Sequence, residues 1–313
     1  SQDDPSRLLI AICAGANRPL SCAADRRKGW TSVSFDIVAD PIKQDILRPE
    51  VFEGICSLLK RRREQGLAHL TVVSLGPTCR TFSDWMHVYK LSSRTVRRPM
   101  GRGRGRPLNR DEVLGNRLLA ACLAIAACAD ECGIEWTWEQ PVGSLMWKTR
   151  GWMKLYMSGA QNCALVDWCR FGRAWRKTTA FRGRGIWLAK LHARCDGGHV
   201  HEVLQGSMIC ADGVRRNRTA NAAEYDACFC DAYLRLVDDD MDRRVEKSTT
   251  ASQLFAAGRG VLFGEASHPG PPQRATRPDI DVRVRTGEHA NLRYRYQLSE
   301  FDMWASKKAR ASS

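Results

Sequence analysis

Several absences bound the reading of this chain. No Cys-x-x-Cys pair occurs among its 13 cysteines, and Cys122, Cys128 and Cys163 sit inside apolar runs, where a free thiol behaves as a small hydrophobe. Disulfide scaffolds are short and secreted. The expectation is therefore free thiols in a reducing compartment, the nucleus if the host is eukaryotic and otherwise the cytoplasm. The longest apolar run, LLAACLAIAACA from Leu118, falls short of the roughly 20 residues that a membrane-spanning helix needs. No basic, apolar and small-residue succession opens the chain, so neither a secretory leader nor a membrane partner is expected. Internal repeats are absent too.

Acidic residues are scarce where basic ones gather. The net charge is +15, from 49 basic and 34 acidic residues. Between Arg80 and Arg110 nine basic residues face one acid, Asp84, and a second cluster runs from Arg170 to Arg194 with no acid inside it. A solvated basic face explains either cluster alone. Two together point to a polyanion, because the guanidinium fork matches phosphate geometry.

What is present is a strand–helix alternation. RLLIAICAG, WTSVSFDIVAD, LAHLTVVSLGP, IEWTWEQP and NCALVDW read as five strands. NRPLSCAADRRKG, RPEVFEGICSLLKRRREQG, RDEVLGNRLLAACLAIAACADECG and SLMWKTRGWMKLYM read as the helices between them, the third apolar nearly all round and so buried. This spacing predicts an α/β domain with a parallel sheet. Beyond it, KTTAFRGRGIWLAKL reads as strands with a turn and NAAEYDACFCDAYLRLV as a helix, and GRGRGR reads as a mobile loop.

In open α/β sheets, ligands bind beyond the carboxyl ends of the strands. There the sequence places the small-residue turn Ala14-Gly15-Ala16-Asn17, the acid Asp36, Gly76-Pro77-Thr78-Cys79 and Glu139. Each has a bland reading: a tight turn, a loop cap, a buried thiol, an arginine partner. Their joint placement at successive strand ends favours a site.

This order of blocks resembles the cytosine-5 DNA methyltransferases, and more closely a divergent branch found in phages and mobile elements. The resemblance rests on AGAN, GPTCRTFS, WEQPVGSLMW, GNRLLA and DWCRFGRAWRKTTAF, and covers residues 8 to 236. It implies a Rossmann-like S-adenosylmethionine-dependent methyltransferase fold. Residues 7–178 would be the catalytic domain and 179–245 a small target-recognition region with a closing helix, followed by a basic, weakly ordered tail over 246–313. Ala14, Gly15, Ala16, Asn17, Asp36, Asp45 and Pro77 would hold S-adenosylmethionine. Cys79 would attack carbon 6 of a flipped cytosine, Glu139 would bind the base edge near N3, and Arg176 would supply the family's basic motif, a place Lys177 also suits. A lowered thiol pKa would come from neighbouring Arg80. Arg80, Ser83, Arg102, Arg104, Arg106, Arg173 and Lys177 would contact nucleic acid. The implied partner of this monomer is DNA, with RNA as the alternative, and an inactive nucleic-acid-binding relative is the further one. Thr78 stands where the family has proline and Gln140 where it has asparagine, which bears on the rigidity of the loop.

Two other features have competing readings. Cys195, His199 and His201 in CDGGHVHE, with Cys210 or Cys228 as a fourth ligand, suggest zinc. Their spacing fits no standard module and the glycines read as a turn, so no metal site is assigned. Trp136, Trp138 and Trp147 suit either base stacking or core packing.

Overall fold

The computed structural model describes residues 7–83, 86, 91–102, 105–204, 206–209, 213, 215–222 and 224–259. Arg104, Cys210 and the expected tail beyond Arg259 lie outside the described residues. The chain divides after Glu246 into two units; the sheet, the helices between its strands and the last helix as far as Glu246 belong to the first.

Six strands form one sheet: β1 (Arg7–Ile12), β2 (Trp30–Phe35), β3 (Thr71–Leu75), β4 (Glu135–Pro141), β5 (Asn162–Asp167) and β6 (Thr178–Gly183), in the order β2-β1-β3-β4-β6-β5. The β1–β2, β1–β3 and β3–β4 pairs are parallel. β6 runs antiparallel between β4 and β5. The expected parallel α/β sheet is thus present with one reversed strand, formed by the segment expected to hold strands and a turn. β6 begins where the target-recognition region is expected to start, yet it pairs inside the catalytic sheet.

Helices cover both faces. Inward residues alternate along each strand: Leu9 and Ala11 of β1 and Val72 of β3 join one core with Leu20 and Ala24 of α1 (Pro19–Asp25). The same core takes Phe229, Tyr233, Leu234 and Val237 from a long helix, Ala227–Arg259. Ile10, Ile12, Val73 and Leu75 face the opposite way and are also buried. That second layer holds α2 (Pro49–Glu64), α3 (Arg110–Glu131) and α4 (Arg150–Met157). The segment read as one helix from Ser144 divides into a 3-10 turn, Leu145–Lys148, and α4.

By length and composition α3 is apolar enough to cross a membrane, but it is mostly buried in the protein interior. It opens with a capping box: Asn109 Oδ1 accepts from the Glu112 amide, and Glu112 Oε2 accepts from the Asn109 amide. The long C-terminal helix, α5 (Ala227–Arg259), is tied to the sheet by charge. Asp238 pairs with Arg7 and Arg27 and accepts from the Trp30 indole (2.8 Å), while Arg244 pairs with Glu135. Trp136, Trp138 and Trp147 are all buried and pack edge-on against Trp152 of α4, which settles their role as core.

Candidate active site

The sequence order reverses about β1, with β2 on one side and β3 on the other. At such a switch point the connections leave to opposite faces and open a crevice at the carboxyl ends. A cavity of about 510 Å³ lies there, within the size range of small-molecule sites. It brings together Ala14, Gly15, Asn17, Asp36, Asp45, Pro77, Cys79, Glu139 and Lys177 among the residues singled out by sequence. Ala16 is exposed beside it and does not line it.

Backbone geometry explains the turn after β1. Cys13, Gly15 and Arg18 have positive φ (56°, 76° and 45°), and an added Cβ at Gly15 would meet open space. The Gly15 amide donates to Asp36 Oδ2 (2.8 Å) and the Val38 amide to Asp36 Oδ1 (2.9 Å). Asp36 therefore caps both loops and still faces the cavity. Each carboxylate oxygen keeps a second acceptor site, so two hydroxyl donors of a sugar fit there. Phe35, Ile37, Ile46, Leu114 and Leu118 supply apolar walls suited to a flat base. Asp45 lines the same end, its Oδ1 accepting from the Leu47 amide (2.9 Å). The donor set suits an adenosyl group.

Cys79 lies beyond β3, in a segment anchored at several points. Gly76 donates to the Ile12 carbonyl (3.0 Å), and a Cβ at Gly76 would come within 3.4 Å of the Cys13 carbonyl oxygen, so the end of β3 passes close under the first turn. Gln140, fully buried, donates from Nε2 to the Pro77 carbonyl and accepts from the Ser144 hydroxyl (3.0 Å). Phe82 is buried beneath the Arg94 guanidinium, 3.6 Å from the ring centre, and its carbonyl accepts from the Leu145 amide (2.8 Å). Thr78 thus stands in a segment clamped from β4 by Gln140.

Electrostatics around the thiol differ from the expectation. Burial, reinforced by Glu139, pushes the Cys79 thiol above its ordinary value, and Lys177 opposes this. Arg80 does not lower it: that side chain is 75% exposed and pairs with Asp111 (3.4 Å). Glu139 is likewise raised by burial, against the pull of Lys177. Among the described residues, neither the thiol nor the Glu139 carboxyl has a side-chain hydrogen bond. Tyr225, raised by burial and then by Glu139, completes this end with Trp168, on which it stacks at 5.7 Å.

Many arginines of the two basic clusters are internal ties. Arg94 is buried, bonding Asn116 Oδ1 (2.7 Å) and the Pro99 and Glu112 carbonyls. Arg184 bonds Asp130 and three backbone carbonyls. Arg176 lies outside the cavity and pairs with Asp167 (3.2 Å), as does Arg194 (3.0 Å). Lys177 faces the cavity instead and donates to the Ala222 carbonyl (2.7 Å). Arg173 pairs with Asp226 (3.4 Å). Ser83 donates to the Arg80 carbonyl (3.4 Å), and Arg102 and Arg106 lie at the surface. Tyr225 and Trp168 are site residues that sequence reasoning missed; the one available signal was their position, Trp168 just beyond β5 and Tyr225 just before α5.

No family model and no curated protein matches the chain. Among solved structures it is similar to a methyltransferase of Entamoeba histolytica, at 10% identity and a TM-score of 0.33, over 65% of this chain and 59% of that one. The chain thus matches less than two thirds of that protein's length, and a likeness this distant carries no functional conclusion.

Proposed function

We propose that the chain is an S-adenosylmethionine-dependent methyltransferase acting on carbon 5 of cytosine in DNA. One observation carries the reading: Cys79 and Glu139, from successive strand ends, face one cavity unpartnered by side chains, with Lys177 beside both. The other end of that cavity has the carboxylate and apolar walls that a nucleoside needs.

The bound cofactor supplies an electrophilic methyl group. Carbon 5 of cytosine is a weak nucleophile until sulfur adds at carbon 6, and Cys79 is the residue for that addition. Burial favours protonated Glu139, which is the form that donates a hydrogen bond to N3 of the base and offsets the charge developing on the ring. Lys177 favours the thiolate. Gln140 fixes the Pro77 carbonyl, and through it the reach of Cys79 into the cavity. Loss of the carbon 5 proton then releases the thiol. A flipped base is required, since a stacked one cannot enter.

The test is transfer from labelled S-adenosylmethionine to duplex DNA, single-stranded DNA and transfer RNA, with 5-methylcytosine identified in the product. Label on DNA, abolished in Cys79→Ser with cofactor binding retained, is the expected outcome. Label on transfer RNA alone would move the substrate to RNA. No transfer by a folded, cofactor-binding protein would remove the enzymatic reading.

A further inference from the structure

Away from the cavity's thiol end, four potential metal ligands converge. Cys169, in the 3-10 turn Trp168–Phe171 after β5, joins Cys195, His199 and His201, with all ligand atoms within 4.8 Å of one another. Cys195 Sγ lies 3.4 Å from His201 Nε2 and 4.0 Å from His199 Nε2, and the two imidazole centres are 4.4 Å apart. Around a tetrahedral zinc ion, with Zn–S about 2.3 Å and Zn–N about 2.0–2.1 Å, sulfur and nitrogen stand roughly 3.6 Å apart. The cluster already has nearly that size.

The chain around it is shaped for the purpose. The Gly197 amide donates to the Cys195 sulfur (3.3 Å), the kind of outer contact that orients and tunes a metal-bound thiolate. Gly197 has φ +83°, turning the chain so that His199 and His201 fold back over Cys195. The Cys195 amide in turn donates to buried Asp167 (2.8 Å). From His192 to Leu204 the chain has no helix or strand beyond a single bridge at Ala193. So long an irregular stretch inside a compact unit calls for a fastening of its own. Cys228, expected as a fourth ligand, is an exposed residue of α5, and Cys210 lies outside the described residues.

We infer that Cys169, Cys195, His199 and His201 bind one structural zinc ion. Two cysteines and two histidines favour zinc over hard cations. Four protein ligands close the coordination sphere, so the site is structural and not catalytic. Two thiols lose their protons as the metal binds, giving a neutral centre. The ion staples the segment 195–201 to the end of β5, next to Trp168, which walls the cavity. This inference does not depend on the methyltransferase reading.

The experiment measures metal in full-length protein purified without chelator, followed by cobalt substitution. One zinc per chain is expected, replaced by cobalt with tetrahedral visible bands and a sulfur-to-cobalt charge-transfer band. Cys169→Ser should lose the metal and Cys228→Ser should keep it. Because Cys169→Ser removes a fastening, His201→Cys serves as a second variant. It should still bind cobalt, with a stronger charge-transfer band. A folded wild-type protein without zinc and without cobalt bands would overturn the site, as would a Cys169–Cys195 disulfide found by mass spectrometry. Unchanged cobalt spectra in both ligand variants would do the same.

Discussion

At the Asp36 end of the cavity the carboxylate accepts from two amides of its own chain. At the Cys79 end, burial raises both the thiol and Glu139, and among the described residues no side chain bonds either. The first end is preorganised by backbone and stable without a ligand. The second holds a half-buried thiol and a half-buried carboxyl without side-chain partners. A third carboxylate next door makes the contrast sharper. Asp167 is fully buried, and Thr178 (2.5 Å), Cys195 (2.8 Å), Arg194 (3.0 Å) and Arg176 (3.2 Å) all bond it. Burial pushes it upward, yet the Thr178 hydroxyl, the Cys195 amide and Arg194 outweigh that and hold it at about 2. Carboxyls with and without partners therefore stand within one fold, and of Asp167 and Glu139 it is Glu139 that faces the cavity.

Breaking the preorganised end should have the largest effect. Asp36→Asn is expected to weaken S-adenosylmethionine binding by about 10–100-fold, the worth of a charge-assisted hydrogen bond, measured by calorimetry. Alkylation of Cys79 should be unchanged in that variant. If both move together, the two ends are not separable.

Asp167→Asn should cost about 2 kcal/mol at neutral pH. Because the folded-state value is depressed, the wild-type advantage exists above the unfolded value near 4 and fades as pH falls toward 2. Chemical denaturation across that window checks it, and a pH-independent difference would contradict it.

Gln140→Ala releases the Pro77 carbonyl. Transfer should fall about tenfold, with about 1 kcal/mol lost in stability and little change in cofactor affinity. A fall in cofactor affinity instead would place Gln140 with the other end.

The effect on stability can also carry the opposite sign. Glu139→Gln should abolish transfer yet raise Tm by roughly 2–4 °C, about 1 kcal/mol for a unit of this size. Since the Glu139 value is raised in the folded state, its cost is absent below the unfolded value and grows as pH rises through the folded one. The Tm gap should widen accordingly, and the pH profile of Cys79 alkylation should shift downward. A lower Tm in this variant would mean that Glu139 is satisfied.

Much of this was legible in the sequence, and the remainder has physical reasons. Asp36, Cys79 and Glu139 sit at strand ends, so their meeting follows from strand order alone. β6 was harder: it enters the sheet antiparallel, and no local signal distinguishes its pairing from that of a separate region. The same reversal hid Cys169, which stands 26 residues before Cys195; the excursion through β6 brings Ala193 back beside Val166. Basic clusters were hard to read for another reason. Arg94 is buried because Asn116 and the Glu112 carbonyl arrive from a later helix, and charge counted along a chain cannot separate such a tie from a surface contact.

The central claim concerns Cys79 as a nucleophile toward cytosine. Its most direct test incubates the protein with S-adenosylmethionine and an oligonucleotide carrying 5-fluorocytosine, which blocks release of the thiol after methyl transfer. The account predicts a denaturation-resistant adduct mapped by peptide mass spectrometry to Cys79 and absent in Cys79→Ser. An adduct mapped to another cysteine, or methylation of ordinary cytosine that persists in Cys79→Ser, would contradict it.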